Sequence, residues 1–427
     1  MNYQQACAWL DAHQFFKIKL GLETTRALLA ELGNPQEQLG IIHIAGTNGK
    51  GSVGATLMAV LSAGGYRAGF YSSPHLSSVR ERFRLGDRLI AEAEFVALIT
   101  RLAQLLDGRP QPTYFELTTI LALLWFAEQQ AEVVILETGM GGRLDATNVV
   151  WPLLSIITDI SLDHQQYLGD TIAAIAGEKA GIIKPGVPVV FSGADTEALP
   201  VITERCWQLG SPLLLLGRDV HGQADGTGLR YTGVSGEEHH YPLNLRGGHQ
   251  VGNTALALAA LERFADRFPL SESQITTGLA QVRWPGRMEL IPVSHQGKTV
   301  SVLLDGAHNE AGVARLWQSL RQGYPRRRLL LIWGKMADKQ LGVAFDDLVA
   351  LADQLLFTRA ENERSAAPQT LYASLSSDIQ AKCCCVEPAA QALEQALHMA
   401  GAEDLICVAG SLYLIGAIRP LLVEEGR

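Results

Sequence analysis

Ile41-Ile42-His43-Ile44-Ala45-Gly46-Thr47-Asn48-Gly49-Lys50-Gly51-Ser52 decides the fold. Mostly apolar residues end in a turn of small residues, and a helix-forming run begins around Val53. The order is strand, loop, helix. Glycines let backbone N–H groups converge on an anion, the helix N-terminus adds its dipole, and Lys50 adds a point charge. Thr47, Asn48, Gly49, Lys50, Gly51 and Ser52 are therefore candidates to cradle the phosphates of ATP, with Ser52 also placed to reach a metal ion. The loop departs from the common phosphate-loop pattern: Ile44 stands where the first glycine belongs, and Gly51 separates Lys50 from Ser52.

Around this stretch the chain reads as alternating strands and helices. Two helices are expected over residues 3 to 32, with Gly33-Asn34-Pro35 as a stop. After the loop, a strand near Arg67–Tyr71 runs into Ser72-Ser73-Pro74, placing hydroxyls at the carboxyl edge of a sheet, where ligands bind in open α/β folds. Ser73 is either a turn residue or a ligand there. The segment Val79–Arg88, which contains Arg82, reads as a solvated hairpin or as a basic loop meeting an anionic substrate. Helices are expected over 91–107 and 115–130, followed by the buried strand Glu132–Glu137, whose final acid is suited to Mg²⁺. A polar, Gly-rich loop comes next, then a strand over Leu154–Thr158 followed by Asp159, Asp163 and His164. Lys179 closes a helix, where helix-dipole complementarity is its plain explanation.

The region 212–245 reads as weakly β-rich, and an alanine-rich helix follows Gly247-Gly248-His249-Gln250-Val251-Gly252-Asn253. Trp284-Pro285-Gly286-Arg287, Pro292 and Gly297 mark a boundary, after which βα units restart with Val300–Leu304 and Asp305-Gly306-Ala307-His308-Asn309. The expected fold is α/β: an N-terminal phosphate-loop-type parallel-sheet ATPase domain over 1–292, and a smaller Rossmann-like C-terminal domain over 297–427.

Composition narrows the class. With 47% hydrophobic and 19% charged residues, the 427-residue chain has enough apolar material for two cores. A formal net charge of −9, with no basic run beyond Arg326-Arg327-Arg328, argues against a nucleic-acid partner. Six cysteines lack disulfide or zinc spacing, and the N-terminus lacks the pattern of a signal peptide. No apolar run reaches membrane-span length. A cytoplasmic monomer acting on small molecules is expected.

Seven motifs occur in one order: G-T-N-G-K-G-S, Y-S-S-P-H, E-T-G-M-G-G-R-L-D-A-T-N, L-D-H with G-E-K-A-G-I-I-K, G-x-H-Q-x-x-N, W-P-G-R and D-G-A-H-N. The ordered set resembles the folylpolyglutamate synthase/dihydrofolate synthase branch of the Mur ligase superfamily. The resemblance implies that Lys50 and the backbone of Asn48–Ser52 bind the ATP phosphates, and that Ser73, Glu137 and His164 are magnesium ligands. It implies a carbamylated Lys179, an anion able to bind a second Mg²⁺, in place of the dipole reading. Asn253, Arg287, Asp305 and His308 correspond to nucleotide-holding positions, the last two from the second domain. Asp338-Lys339 corresponds to a further family pair. The division of these residues between the domains suggests a cleft that closes on its ligands.

The implied chemistry is ATP-driven amide formation. A substrate carboxylate takes the γ-phosphoryl group to form an acyl phosphate, and the amine of L-glutamate displaces phosphate. Cell-wall Mur ligases carry a nucleotide-sugar domain before the loop, whereas 45 residues precede Gly46 here, which disfavours that branch. A phosphate-loop kinase needs neither the H-Q-x-x-N helix nor the D-G-A-H-N segment, and intact Lys50, Glu137, His164 and Lys179 argue against a non-catalytic nucleotide-binding protein. The acceptor is dihydropteroate, a folate, or both; a folate-extending synthase alone is the narrower alternative. Arg143–Asn148 and Thr113-Tyr114-Phe115-Glu116 match the spelling of bifunctional members. In that reading Thr113 and Ala146 line the pterin site, Phe115 stacks on the ring, and Asp145 accepts from its amino groups; a core aromatic and a loop cap are the plain alternatives.

Overall fold

A computed structural model describes residues 1–15, 21–226, 228–337, 342–359 and 365–423. Asp338 and Lys339 lie outside the described residues. The opening stretch forms strand β1 (Ile41–Ala45) and the helix Lys50–Ala63. Every residue of β1 is buried, as expected for a strand covered on both faces.

The eight strands of the first sheet are β1, β2 (Ala68–Tyr71), β3 (Phe83–Leu85), β4 (Arg88–Leu89), β5 (Val133–Glu137), β6 (Leu154–Ile157), β7 (Val189–Phe191) and β8 (Leu213–Leu215). Their order is β4-β3-β2-β5-β1-β6-β7-β8. From β2 to β8 the neighbours are parallel, while β3 and β4 add antiparallel at one edge. The basic segment 79–88 is thus a hairpin built onto the sheet. The helix Lys50–Ala63 is buried almost all round because it lies between this sheet and the helix Glu272–Gln281. Small residues permit that approach: a Cβ on Gly54 would lie 2.4 Å from the Phe70 ring, and one on Gly278 would lie 2.4 Å from the Val60 Cα. A three-stranded antiparallel sheet, β9 (His221–Asp225), β10 (Gly228–Thr232) and β11 (Glu238–Pro242), accounts for the β-rich region.

The second sheet comprises β12 (Glu289–His295), β13 (Lys298–Leu304), β14 (Leu329–Trp333), β15 (Gln354–Phe357), β16 (Cys383–Cys385) and β17 (Leu405–Ala409), ordered β12-β13-β17-β14-β15-β16. Only β12 is antiparallel to its neighbour. It occupies the segment that Pro292 and Gly297 marked as a boundary. Proline is tolerated there because β12 is an edge strand and Pro292 need not donate to a second neighbour.

The chain divides into two compact units. One holds Met1–Pro74, Val79–Asn244 and Gln250–Arg283; the other holds His75–Ser78, Leu245–His249 and Trp284–Arg427. The short piece after Ser73 belongs to the second unit because the Ser77 hydroxyl donates to Gly416 O at 3.0 Å.

Candidate active site

The central strands of the first unit run β2-β5-β1-β6, all parallel, so their carboxyl ends share one edge. That edge carries Ser73 after β2, Glu137 at the end of β5, the loop after β1, and Thr158-Asp159 after β6. The sheet order therefore brings together residues dispersed over more than a hundred positions.

The loop is held open from beneath by the turn after β6. Thr47 N donates to Asp159 O at 2.6 Å, and the Thr47 hydroxyl donates to Ser161 O at 3.0 Å. Asn48 Nδ2 donates to Asp159 Oδ2 at 3.3 Å and to Ser161 Oγ at 3.2 Å. Two glycines are obligatory. A Cβ on Gly46 would lie 1.8 Å from Thr158 Oγ1, and one on Gly49, whose φ is 91°, would lie 2.5 Å from Asn253 Oδ1. The second contact places Asn253 of the alanine-rich helix against the loop. Lys50 Nζ donates to Gly46 O at 2.9 Å and Thr47 O at 3.3 Å, and lies 4.0 Å from Glu137 Oε1. Gly51 and Ser52 form the first helical turn, with Ser52 buried.

Lys179 is only 3% exposed although it sits in the last turn of the helix Ile172–Ala180. Burial, then the charge of Lys50, push its ammonium down to about 7, against the opposing pull of Asp163, Asp159 and Asp145. This is a buried amine and not a surface cation serving the dipole. His164, in left-handed backbone at φ 51°, caps the short helix Gln165–Leu168 on an exposed turn, with Nε2 4.0 Å from Asp163 Oδ1.

The expected pterin-facing residues cluster at the same edge. The Phe115 ring packs on Gly139, two residues after Glu137, where a Cβ would lie 2.6 Å from it. Its centroid is 6.2 Å from that of Tyr71. Arg82 is buried, with its guanidinium 5.3 Å from the Tyr114 ring centroid. Ala146 is buried in the 3₁₀ turn Ala146–Val149.

Three residues expected to contact ligands also carry structural hydrogen bonds. Asp145 was expected to accept from a pterin, but it is buried and already accepts four hydrogen bonds. Gly139 N (2.9 Å) and Met140 N (2.8 Å) reach Oδ2, while Thr147 N (3.0 Å) and Thr147 Oγ1 (2.6 Å) reach Oδ1. A carboxylate has about four acceptor positions, so Asp145 organises its own loop. Thr113 caps the helix Tyr114–Glu128: its hydroxyl accepts from Glu116 N at 3.2 Å and donates to Glu116 Oε2 at 2.9 Å. In the second unit, Asp305 accepts from Met288 N at 2.9 Å and Ala307 N at 3.0 Å. It thereby fixes the turns that bear Arg287 and His308, using two of its roughly four acceptor positions. Burial raises its carboxyl, opposed by Arg287. His308 Nδ1 donates to Gly306 O at 2.7 Å, while Arg287 Nη1 donates to Gly286 O at 3.2 Å.

Sequence reading missed the supporting residues Thr158, Ser161, Thr147 and Asn148. Thr158 Oγ1 donates to Asn48 O at 2.8 Å, and Asn148 Nδ2 donates to Arg143 O and Gly181 O, both at 3.0 Å. Thr158 and Ser161 gave only the signal of polar residues at or just after a buried strand, and Thr147 and Asn148 stood in a quoted motif without an assigned role.

Comparison with known proteins agrees with this geometry. The family profile for the Mur ligase middle domain matches residues 44–261, and that for the Mur ligase glutamate ligase domain matches 286–412. The chain is 34% identical to the dihydrofolate synthase/folylpolyglutamate synthase of Bacillus subtilis over 98% of its own length and 99% of that protein. Its structure resembles that of Mycobacterium tuberculosis folylpolyglutamate synthase complexed with ADP, with a TM-score of 0.90 and 30% identity over 100% and 99% of the two chains. It also resembles Escherichia coli FolC in complex with DHPP and ADP, with a TM-score of 0.87 and 30% identity over 97% of each chain. The chain belongs to the dihydrofolate synthase/folylpolyglutamate synthase family of Mur ligases and is an ATP-dependent ligase that adds L-glutamate to a folate-type carboxylate.

Proposed function

We propose that the enzyme glutamylates both dihydropteroate and folates. The observation that carries this reading is one shared edge. Lys50 lies 4.0 Å from Glu137 there, and the Phe115 ring packs on Gly139, two residues beyond the end of β5. An ATP-cradling loop beside an aromatic wall suits an acceptor whose carboxylate must meet the γ-phosphate. The Bacillus subtilis relative bears both activities in its name, which supports the dual acceptor.

In this reading Thr47 to Ser52 cradle the triphosphate, Asn253 braces the loop, and Lys50 neutralises the γ-phosphoryl charge. Arg82, Tyr114 and Phe115 hold the acceptor, and Arg287 and His308 remain nucleotide-contact candidates. The acceptor carboxylate attacks the γ-phosphorus, and ADP leaves with the electrons of the broken P–O bond. The amine of glutamate then adds to the acyl carbon, loses a proton and expels phosphate. Positioning and charge neutralisation supply most of the acceleration, and excluded water protects the acyl phosphate.

The donor chemistry fits Mg²⁺. Among the described residues no group of three or more His, Cys, Asp or Glu could hold a metal by itself. Mg²⁺ commonly takes one or two protein oxygens and completes its shell with water and substrate phosphates, so buried Ser52 and Glu137 at the loop suit it. Ser73 and His164 are further candidates. When bound, the ion supplies charge stabilisation on the phosphoryl oxygens. Lys179 is proposed to carry a carbamate: its ammonium first gives up a proton, the neutral amine attacks CO₂, an N–C bond forms as one C=O π pair moves onto oxygen, and the nitrogen releases a second proton, so that a cation becomes an anion. An amine held near 7 has the required neutral fraction at physiological pH.

We further infer a cytoplasmic location. All six cysteines are free thiols, and among the described residues no helix is long and apolar enough to cross a membrane. The test is an ATP- and glutamate-dependent assay with dihydropteroate and tetrahydrofolate in parallel, with products identified by mass. Glutamylation of both supports the proposal; product from only one reduces it to a single-acceptor synthase.

A further inference from the structure

Behind the phosphate loop runs a chain of polar contacts that the proposed chemistry does not use. It starts at His43, in the middle of β1, fully buried and paired in register with Leu136, the residue before Glu137. His43 Nε2 lies 2.8 Å from Thr147 Oγ1, and no partner meets Nδ1 among the described residues. Thr147 Oγ1 lies 2.6 Å from Asp145 Oδ1.

Proton counting fixes the direction of these bonds. Both Asp145 oxygens face N–H or O–H donors, so its carboxylate only accepts. The single hydroxyl proton of Thr147 therefore goes to Asp145, and the hydroxyl oxygen must accept from His43. That requires the Nε2–H tautomer with Nδ1 bare. Protonation would bury an N–H at Nδ1 with no acceptor. Burial, with Lys184 adding its charge, accordingly pushes the ring down to about 3.

The loop anchored in this way touches two functional elements. On one side Asp145 holds the amides of Gly139 and Met140, directly after Glu137 and Thr138. On the other side Arg143 N donates to Glu178 O at 2.8 Å, and Asn148 Nδ2 donates to Gly181 O at 3.0 Å. These contacts bracket Lys179. A Cβ on Gly142 would lie 2.9 Å from Lys179 O, so loop and helix end are in close contact. Asn148 is itself held by Lys184 Nζ at 2.7 Å.

Stability alone gives no reason for histidine at this position. An apolar residue would pack in a fully buried central strand without placing a second ring nitrogen that meets no partner among the described residues. We propose that His43 is a positioning residue: by donating from Nε2 to Thr147 it locks the Asp145 loop and so holds Glu137 and Lys179 in mutual register. The proposal rests on the catalytic reading of Glu137 and Lys179 given above.

Three variants of the full chain test it. His43→Gln can present an N–H near the Nε2 position, His43→Asn reaches only as far as Nδ1, and His43→Leu presents none. The Leu and Asn variants are expected to bind ADP normally while kcat falls roughly ten- to a hundredfold with little change in KM for ATP, and Gln should recover most of the loss. Hydrogen exchange at the Gly139 and Met140 amides should quicken in Leu and Asn and not in Gln. Thr147→Val should reproduce the Leu phenotype and serves if the His43 variants fail to fold. In the wild type, ¹⁵N NMR should find a protonated Nε2 and a bare Nδ1 with no titration between about pH 5 and 9. Full turnover in His43→Leu, equal defects in Gln and Asn, or a protonated Nδ1 overturns the proposal. Glu137→Gln and Lys179→Met, assayed alongside, separate the two ideas. If they turn over normally, the catalytic reading fails; if they are inactive while His43→Leu is not, only the role of His43 fails.

Discussion

Replacing Lys179 by methionine tests the buried amine quantitatively. The wild-type side chain is 3% exposed and its ammonium is lowered from 10.5 to about 7, by burial first and Lys50 second. In the unfolded chain the lysine stays charged until near pH 10.5. Below about pH 7 both states are protonated, and the folded protein bears the full cost of a buried cation. Above it the folded state releases a proton that the unfolded state keeps, so stability rises with pH at about 1.4 kcal/mol per unit. From about pH 6 to pH 9, wild type should therefore gain roughly 3 kcal/mol relative to Lys179→Met, which lacks the titrating group. The variant should be clearly the more stable at the acid end, with its advantage shrinking toward the alkaline end. Urea unfolding in CO₂-free buffer at the two pH values measures the difference. Turnover should be lost in the variant and nucleotide binding retained. An advantage that stays constant across the range would refute the buried, near-neutral amine and the carbamylation that depends on it.

Gly49→Ala should lose ADP affinity by roughly tenfold or more, read by calorimetric titration, because it combines left-handed backbone with a 2.5 Å approach to Asn253. Wild-type affinity would remove Asn253 as the loop's brace. Asp305→Ala should destabilise the second unit by about 1–3 kcal/mol for each of the Met288 and Ala307 amides left without an acceptor, seen in denaturant unfolding. An unchanged midpoint would mean the carboxylate is free for a ligand after all. Asp145→Ala should abolish turnover and loosen Gly139 and Met140 in hydrogen exchange, with KM for the pterin moving no more than that for ATP. A selective rise in pterin KM would restore the direct contact expected from its motif.

Most of the scaffold was legible because parallel strands buried on both faces leave apolar runs that stop abruptly at a polar residue. Glu137, Ser73 and Asp305 were found at such stops. Strand β12 was not, since Pro292 and Gly297 read as a break and only the edge position of that strand makes proline acceptable. Roles were harder to read than locations. Asp145, Thr113 and Asp305 stand in functional motifs, yet each uses its oxygens on backbone amides that a motif does not display. Lys179 at a helix end favours a charged reading until tertiary burial reverses it. His43 looked like one more residue of a buried strand, because its partner lies 104 positions away.

The most direct test of the central claim follows the oxygen atoms of the acceptor. With ¹⁸O in the substrate carboxylate, ATP and L-glutamate, attack on the γ-phosphorus requires that one labelled oxygen appear in inorganic phosphate, with ADP as the other product. Label retained wholly in the amide and free acid, or AMP in place of ADP, would contradict the acyl-phosphate route built around Lys50 and Glu137.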